Sequence, residues 1–243
     1  LRKLNRLREA SRNYDKAIEF NPNFSKAYIN QGNILLLTET KRLDLALENF
    51  IKALKINPNI NFLFGKYIHT KSWLSNWNSI DEEINLLKKK IISEKKISTP
   101  FPVLSLIDSP ELQKKNSKNF FETQFSEKNN LIPIAKRLPS KKIRIGYYSA
   151  DFYNHPMSFL LVHLFELYDK SNFEIYGFSL ENRENDDMRK RISKTFDKFV
   201  DVSLKTDIEI AKISREFNID IAIDLMGFTR GNKFQIFIER CAP

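Results

Sequence analysis

From residue 141 onward the apolar residues switch repeatedly between two spacings, and that switching restricts the fold more than any other property of the chain. Ile143, Ile145, Tyr147 and Tyr148 read as a buried strand. From Pro156 the apolar positions take helical spacing, with Leu160, Leu161, Leu164, Phe165 and Leu167 on one broad face. The grammar then recurs. Strands are expected near 143–149, 173–180, 198–203 and 219–226, and helices near 156–168, 185–197, 206–217 and 231–240. Four such units imply a parallel sheet wound with right-handed crossovers.

The first sixty residues follow a different rule. Ala10, Tyr14 and Ala17 with Pro22 recur as Ala46, Phe50 and Ala53 with Pro58, an offset of 36, and Ala27, Tyr28, Gly32 and Leu35 lie between them. This is the pattern of the tetratricopeptide repeat, in which small residues let paired helices approach and a proline ends the second. The two residues beyond the usual period of about 34 fit a turn around 38–42. Such units stack, so further repeats are expected to precede Leu1. A concave peptide-binding groove and a plain helical spacer are both open readings.

Residues 61–140 read as a helical connector and linker. Tyr67, Trp73, Leu74 and Trp77 are expected to pack on the last repeat, 80–92 is helical, and His69 is a core or surface histidine. Thr99, Pro100, Phe101 and Pro102 break the pattern. Ser109 and Pro110 start another helix running to about Phe125, and 129–140, with Pro133 and Pro139, is a linker.

The net charge of +10 raises the question of nucleic acid, but 27 of the 40 basic residues are lysines scattered without interleaved aromatics. Solvated surface is the expected reading of that charge. No apolar run is long enough for a membrane span, and a soluble, cytoplasmic protein is expected. Cys241 is the single cysteine, which leaves no disulfide framework and no Cys-based zinc site. The chain opens on Leu1 and stops at Pro243 directly after an amphipathic segment, so a piece of a longer protein is expected.

Chemistry is expected in the turns. Asp151, Asn154 and His155 fall between the first strand and its helix, where ligands bind in open α/β sheets, and Pro156 suits the first helical position. A carboxylate and an imidazole on one short turn are able to relay a proton; the same residues also make an ordinary helix cap. His163 is expected in the core. Gly146 stands alone, so neither a dinucleotide fingerprint nor a P-loop is present, and no nucleophile elbow occurs. Asp186 and Asp187 lack a third ligand at a related spacing and read as a solvated helix start.

The residues carry a resemblance as well. Ile143 through Pro156, with Ser149, Asp151, Phe152, His155 and Pro156 as its signature, then Phe173–Ser179, then the run from Ile219 to Gly231, and finally Arg240 to Pro243, resemble the O-linked N-acetylglucosamine transferase family, which includes the Spindly-type O-fucosyltransferases. The order, repeats first and α/β lobe second, is similar too. The resemblance implies an α plus α/β chain: helical repeats followed by the Rossmann-like lobe of a two-lobed GT-B glycosyltransferase, the second lobe absent. It implies inverting transfer of a sugar, N-acetylglucosamine, from a UDP-sugar to Ser or Thr of acceptor proteins held by the repeats, with no metal or other cofactor; the apolar runs and charge pattern described above lead to no membrane and no nucleic acid being expected as partners. His155 matches the family's histidine at the sugar, and Asp151 an aspartate that takes the proton through water. Asn154, Pro156, Met157, Gly227 and Thr229 are carried over as substrate-binding positions, with Met157 standing where animal enzymes have Thr.

Within that resemblance the family continues past Pro243 into a lobe that supplies most nucleotide contacts. The chain taken alone is therefore expected to be inactive, because nothing would stabilise the leaving diphosphate. The alternative is a tetratricopeptide scaffold whose α/β lobe is a non-catalytic binding module.

Overall fold

Two prolines explain where the first helices stop. In the computed structural model, which describes residues 6–37, 42–125, 131–135, 140–183 and 185–243, α1 (Leu7–Phe20) and α3 (Leu43–Ile56) end at Asn21 and Asn57. Both are extended, as residues before proline must be, and both accept from the backbone N–H two residues on. The 36-residue offset is thus a structural repeat. Between them lies α2 (Ser25–Leu37). Its Gly32 sits against the ring of Phe50, where a Cβ would come within 2.5 Å of Cε1, and Tyr28, Ala46, Phe50, Ala53 and Leu63 form one cluster.

The chain divides into two compact units, Leu1–Ser126 and Glu127–Pro243. In the first, α4 (Leu63–Trp73), α5 (Ile80–Ile92), α6 (Pro100–Leu106) and α7 (Pro110–Gln124) continue the helical stack with a second cluster around Ile68, Leu87, Ile91 and Val103. Two expectations are corrected here. Of the residues expected on the last repeat, Tyr67 packs against the repeat cluster, whereas Trp73 and Trp77 are exposed. Residues 99–102, expected to break the helical pattern, instead open a helix, because Pro100 and Pro102 occupy its first turn, where backbone N–H groups have no partner to lose. Ser109 caps α7, with Pro110 at its start, as expected. Of the expected turn over 38–42 only Arg42 is among the described residues; of the expected linker, 129, 130 and 136–139 lie outside them.

The second unit alternates strand and helix: β1 (Ile143–Ser149), α8 (Pro156–Glu166), β2 (Phe173–Ser179), α9 (Asp187–Ser193), β3 (Lys198–Asp201), α10 (Asp207–Glu216), β4 (Ile221–Asp224) and α11 (Phe234–Ile238). The sheet is parallel, in the order β3-β2-β1-β4. Ile145, Tyr147 and Ile175 face one side with α8 and α9, whereas Tyr148 and Phe178 face the other with α10 and α11. A parallel sheet buried on both faces needs apolar residues in consecutive positions, which Tyr147 and Tyr148 supply.

The face expected for α8 is corrected. Ser158, Val162 and Phe165 are its buried residues, while Leu160 (80% exposed), Leu164 and Leu167 point outward with Phe159. The helix is apolar nearly all round, so spacing did not identify its inner side. His163 likewise lies outside, 3.0 Å from Glu166, rather than in the core.

Candidate functional site

The turn after β1 is held by its own backbone. Tyr153 N–H donates to Asp151 O at 2.8 Å and His155 N–H to Tyr153 O at 2.7 Å, two successive three-residue turns. Asp151 N–H donates to Ser149 Oγ, and Ser158 Oγ returns from α8 to donate to Asp151 O. His155 is extended, as the residue before Pro156 must be, and serves as the N-cap of α8: its Nδ1 accepts from Met157 N–H at 3.3 Å. With Nδ1 accepting, the neutral ring carries its proton on Nε2.

His155 Nδ1 and Asp151 Oδ2 stand 3.9 Å apart, beyond a hydrogen bond, with side chains 36% and 19% exposed. A carboxylate so placed is partly desolvated yet open to a water, and the imidazole presents Nε2–H as a donor. Asn154 donates its backbone N–H to Asp186. Met157 turns its side chain into the cluster beneath α8 and α9, so its N–H faces the turn rather than its thioether.

Gly227 and Thr229 lie on the turn after β4, the neighbour of β1. Gly227 has φ +49° with open space where a Cβ would be, so the turn needs glycine for conformation and not for room. Thr229 folds back, its N–H and hydroxyl both donating to Met226 O. The two turns meet through Met226, whose sulfur accepts from Ala150 N–H at 3.2 Å and lies 3.5 Å from Ser149 Oγ. Sequence reasoning thus named two groups of residues that the fold sets side by side. Strand order makes their position significant: the chain leaves β1 toward β2 on one side and returns as β4 on the other, so both turns flank the switch point where ligands bind in sheets of this kind.

Three residues on the turn's other flank went unrecognised as part of the site. Asp186 accepts from Asn154 N–H, Arg189 donates to Phe152 O, and the Arg183 guanidinium lies 4.8 Å over the Tyr153 ring. Burial opposes ionisation of Asp186, but the N–H groups of Arg189, Asn154 and Met188 and the charge of Arg189 outweigh it and hold the carboxyl below its ordinary value. A depression of about 390 Å³ opens here, lined by Asn154, Phe159, Asp186, Asp187, Met188 and Arg191. The pair Asp186 and Asp187 had signalled only a helix start. Among the described residues no three His, Cys, Asp or Glu side chains converge as a metal would need. None of the helices described is long and apolar enough to cross a membrane. Burial raises the Cys241 thiol to about 11.

Both units of the chain match known protein families. The family model for glycosyl transferase family 41 matches residues 121–243, just over half of the chain, and a tetratricopeptide repeat model matches residues 13–48. A probable UDP-N-acetylglucosamine–peptide N-acetylglucosaminyltransferase, SEC, of Arabidopsis thaliana is 37% identical over 112 residues, 46% of this chain and 12% of that protein. The UDP-N-acetylglucosamine–peptide N-acetylglucosaminyltransferase of Caenorhabditis elegans is 32% identical over 104 residues, 42% of this chain and 9% of that protein. The chain thus matches about a tenth of the length of these relatives. In fold it is similar to a mutant O-GlcNAc transferase of Thermobaculum terrenum, with a TM-score of 0.64 and 19% identity over 96% of this chain and 45% of that one.

Proposed function

The chain belongs to glycosyl transferase family 41, and on that premise we propose that it forms the repeat-bearing, donor-side part of a protein O-glycosyltransferase. The reaction is inverting transfer of N-acetylglucosamine from its UDP donor to a Ser or Thr hydroxyl, with the helical repeats presenting the acceptor polypeptide. The observation that carries this reading is the placement of Asp151 and His155 at the switch point of the sheet, beside the glycine turn after β4.

A serine hydroxyl is a weak nucleophile near neutral pH and needs a base. Asp151 fills that role through a water: the hydroxyl oxygen attacks the anomeric carbon, its proton passes by way of the water to the carboxylate, and the bond to the diphosphate oxygen breaks. His155 donates from Nε2 to the sugar or acceptor oxygen, an orientation fixed by the Met157 N–H on its other nitrogen. Asn154, Pro156, Gly227 and Thr229 shape the walls. Met157 acts through its backbone. The family resemblance supports a reaction without a metal or other cofactor, and the single, buried cysteine supports a cytoplasmic location.

The test uses the protein expressed from its complete reading frame. Asp151→Asn is expected to lower kcat by about 10²–10⁴-fold, the range for losing a general base, with excess chelator leaving the wild-type rate unchanged. Undiminished transfer by the variant would remove Asp151 from the mechanism. Wild-type protein that binds acceptor proteins but transfers no labelled sugar would favour the scaffold alternative.

A further inference from the structure

Asp151 and His155 are separated by three residues, and each of the three is gripped by a residue that follows β2. Phe152 O accepts from Arg189 Nη1 at 3.1 Å, the Tyr153 ring lies under the Arg183 guanidinium at 4.8 Å, and Asn154 N–H donates to Asp186 Oδ2 at 2.7 Å. Arg189 is only 8% exposed. It also donates to Ser179 Oγ at the end of β2 and to Asp201 at the end of β3, and stacks 5.2 Å over the Phe199 ring, so its own position is fixed from several sides. The Asp186 carboxylate is divided: Oδ1 caps α9 by accepting from Arg189 N–H at 2.7 Å, and Oδ2 holds the turn.

From this arrangement we infer that Asp186 and Arg189 are positioning residues for the transfer reaction, setting the separation and orientation of Asp151 and His155 without touching substrate; the inference rests on the transferase reading. The Phe152 ring is fully buried against Phe196 and Phe199 and the Tyr153 ring lies under Arg183, while the backbone of Asn154, next to His155, is held by Asp186. The two backbone bonds from Tyr153 and His155 close each three-residue turn, and the charge-assisted bonds to Asp186 and Arg189 tie those turns to the segment after β2. Displacing a reacting group by about 1 Å costs on the order of 10²-fold in rate, so loosening this grip acts on turnover rather than on donor affinity.

Asp186→Ser separates the two duties of the carboxylate. Serine is among the best N-caps, so α9 keeps its start, but its one short oxygen is then occupied and Asn154 N–H loses its partner. In the protein from the complete reading frame, the expected result is a fall in kcat of about 10–10²-fold with KM for UDP-N-acetylglucosamine unchanged. In the same samples, amide hydrogen exchange is expected to quicken in peptides covering 152–156 and to stay as in wild type over 187–193. Wild-type turnover by the variant overturns the inference, as does unchanged exchange over 152–156. A loss of kcat accompanied by faster exchange throughout α9 overturns it too, because loss of the helix would then account for the defect. If wild-type protein transfers no sugar, the transferase reading fails on its own, and the exchange measurement still decides whether Asp186 holds the turn.

Discussion

At the scale of single residues, what was legible in the sequence is what local chemistry dictates. Pro156 marked the first residue of α8 because proline costs nothing there, and the glycines after β4 marked a turn because Gly227 and Gly231 adopt positive φ. His163 was misjudged because most of its neighbours are apolar; Glu166, three residues on, was the local sign of an outward face. Gly32 offers a check on close approach. Replacing it with Ala gains up to about 1 kcal/mol in helix propensity, but the new methyl meets Phe50, which is fully buried and has nowhere to move, and overpacking of this kind costs about 1–3 kcal/mol. The clash wins. Gly32→Ala is expected to destabilise the helical unit by on the order of 1 kcal/mol, measured by urea unfolding.

At the scale of elements, strand and helix order was readable from spacing, whereas ties between elements were not. Asp186 and Asn154 are 32 positions apart, and no local pattern announces a side chain that caps one helix while holding the entry to another. The helical unit has a comparable hidden feature. His69 on α4 lies 4.4 Å from the Trp73 ring and 5.7 Å from the Phe101 ring of α6, and burial lowers its pKa below 6.5. Below pH 6.5 the unfolded chain takes up a proton that the folded ring refuses. Stability is therefore complete above that pH and declines as pH falls from 6.5 toward the lower folded value. The decline should appear in denaturant midpoints measured across that window and be absent in His69→Phe. A midpoint that rises on acidification through the window would contradict it.

At the scale of the whole chain, the sheet order β3-β2-β1-β4 places the earliest strand between two later ones. Crossover connections made this order derivable in kind, as a parallel sheet, but the sequence alone did not reveal which strand would be central. A chain stopped at residue 218 lacks β4, and its β1 amides are expected to exchange hydrogen far faster than in the whole chain; equal protection would show that β1 needs no second neighbour. That dependence reaches into biosynthesis. At about 5–20 residues added per second, a ribosome needs on the order of 4–15 s to travel from the end of β1 to the end of β4. For that interval the nascent polypeptide exposes an unpaired strand edge that a chaperone or a neighbouring copy is able to occupy, and its aspartate and histidine are already translated before the thioether that will join them to the glycine turn exists.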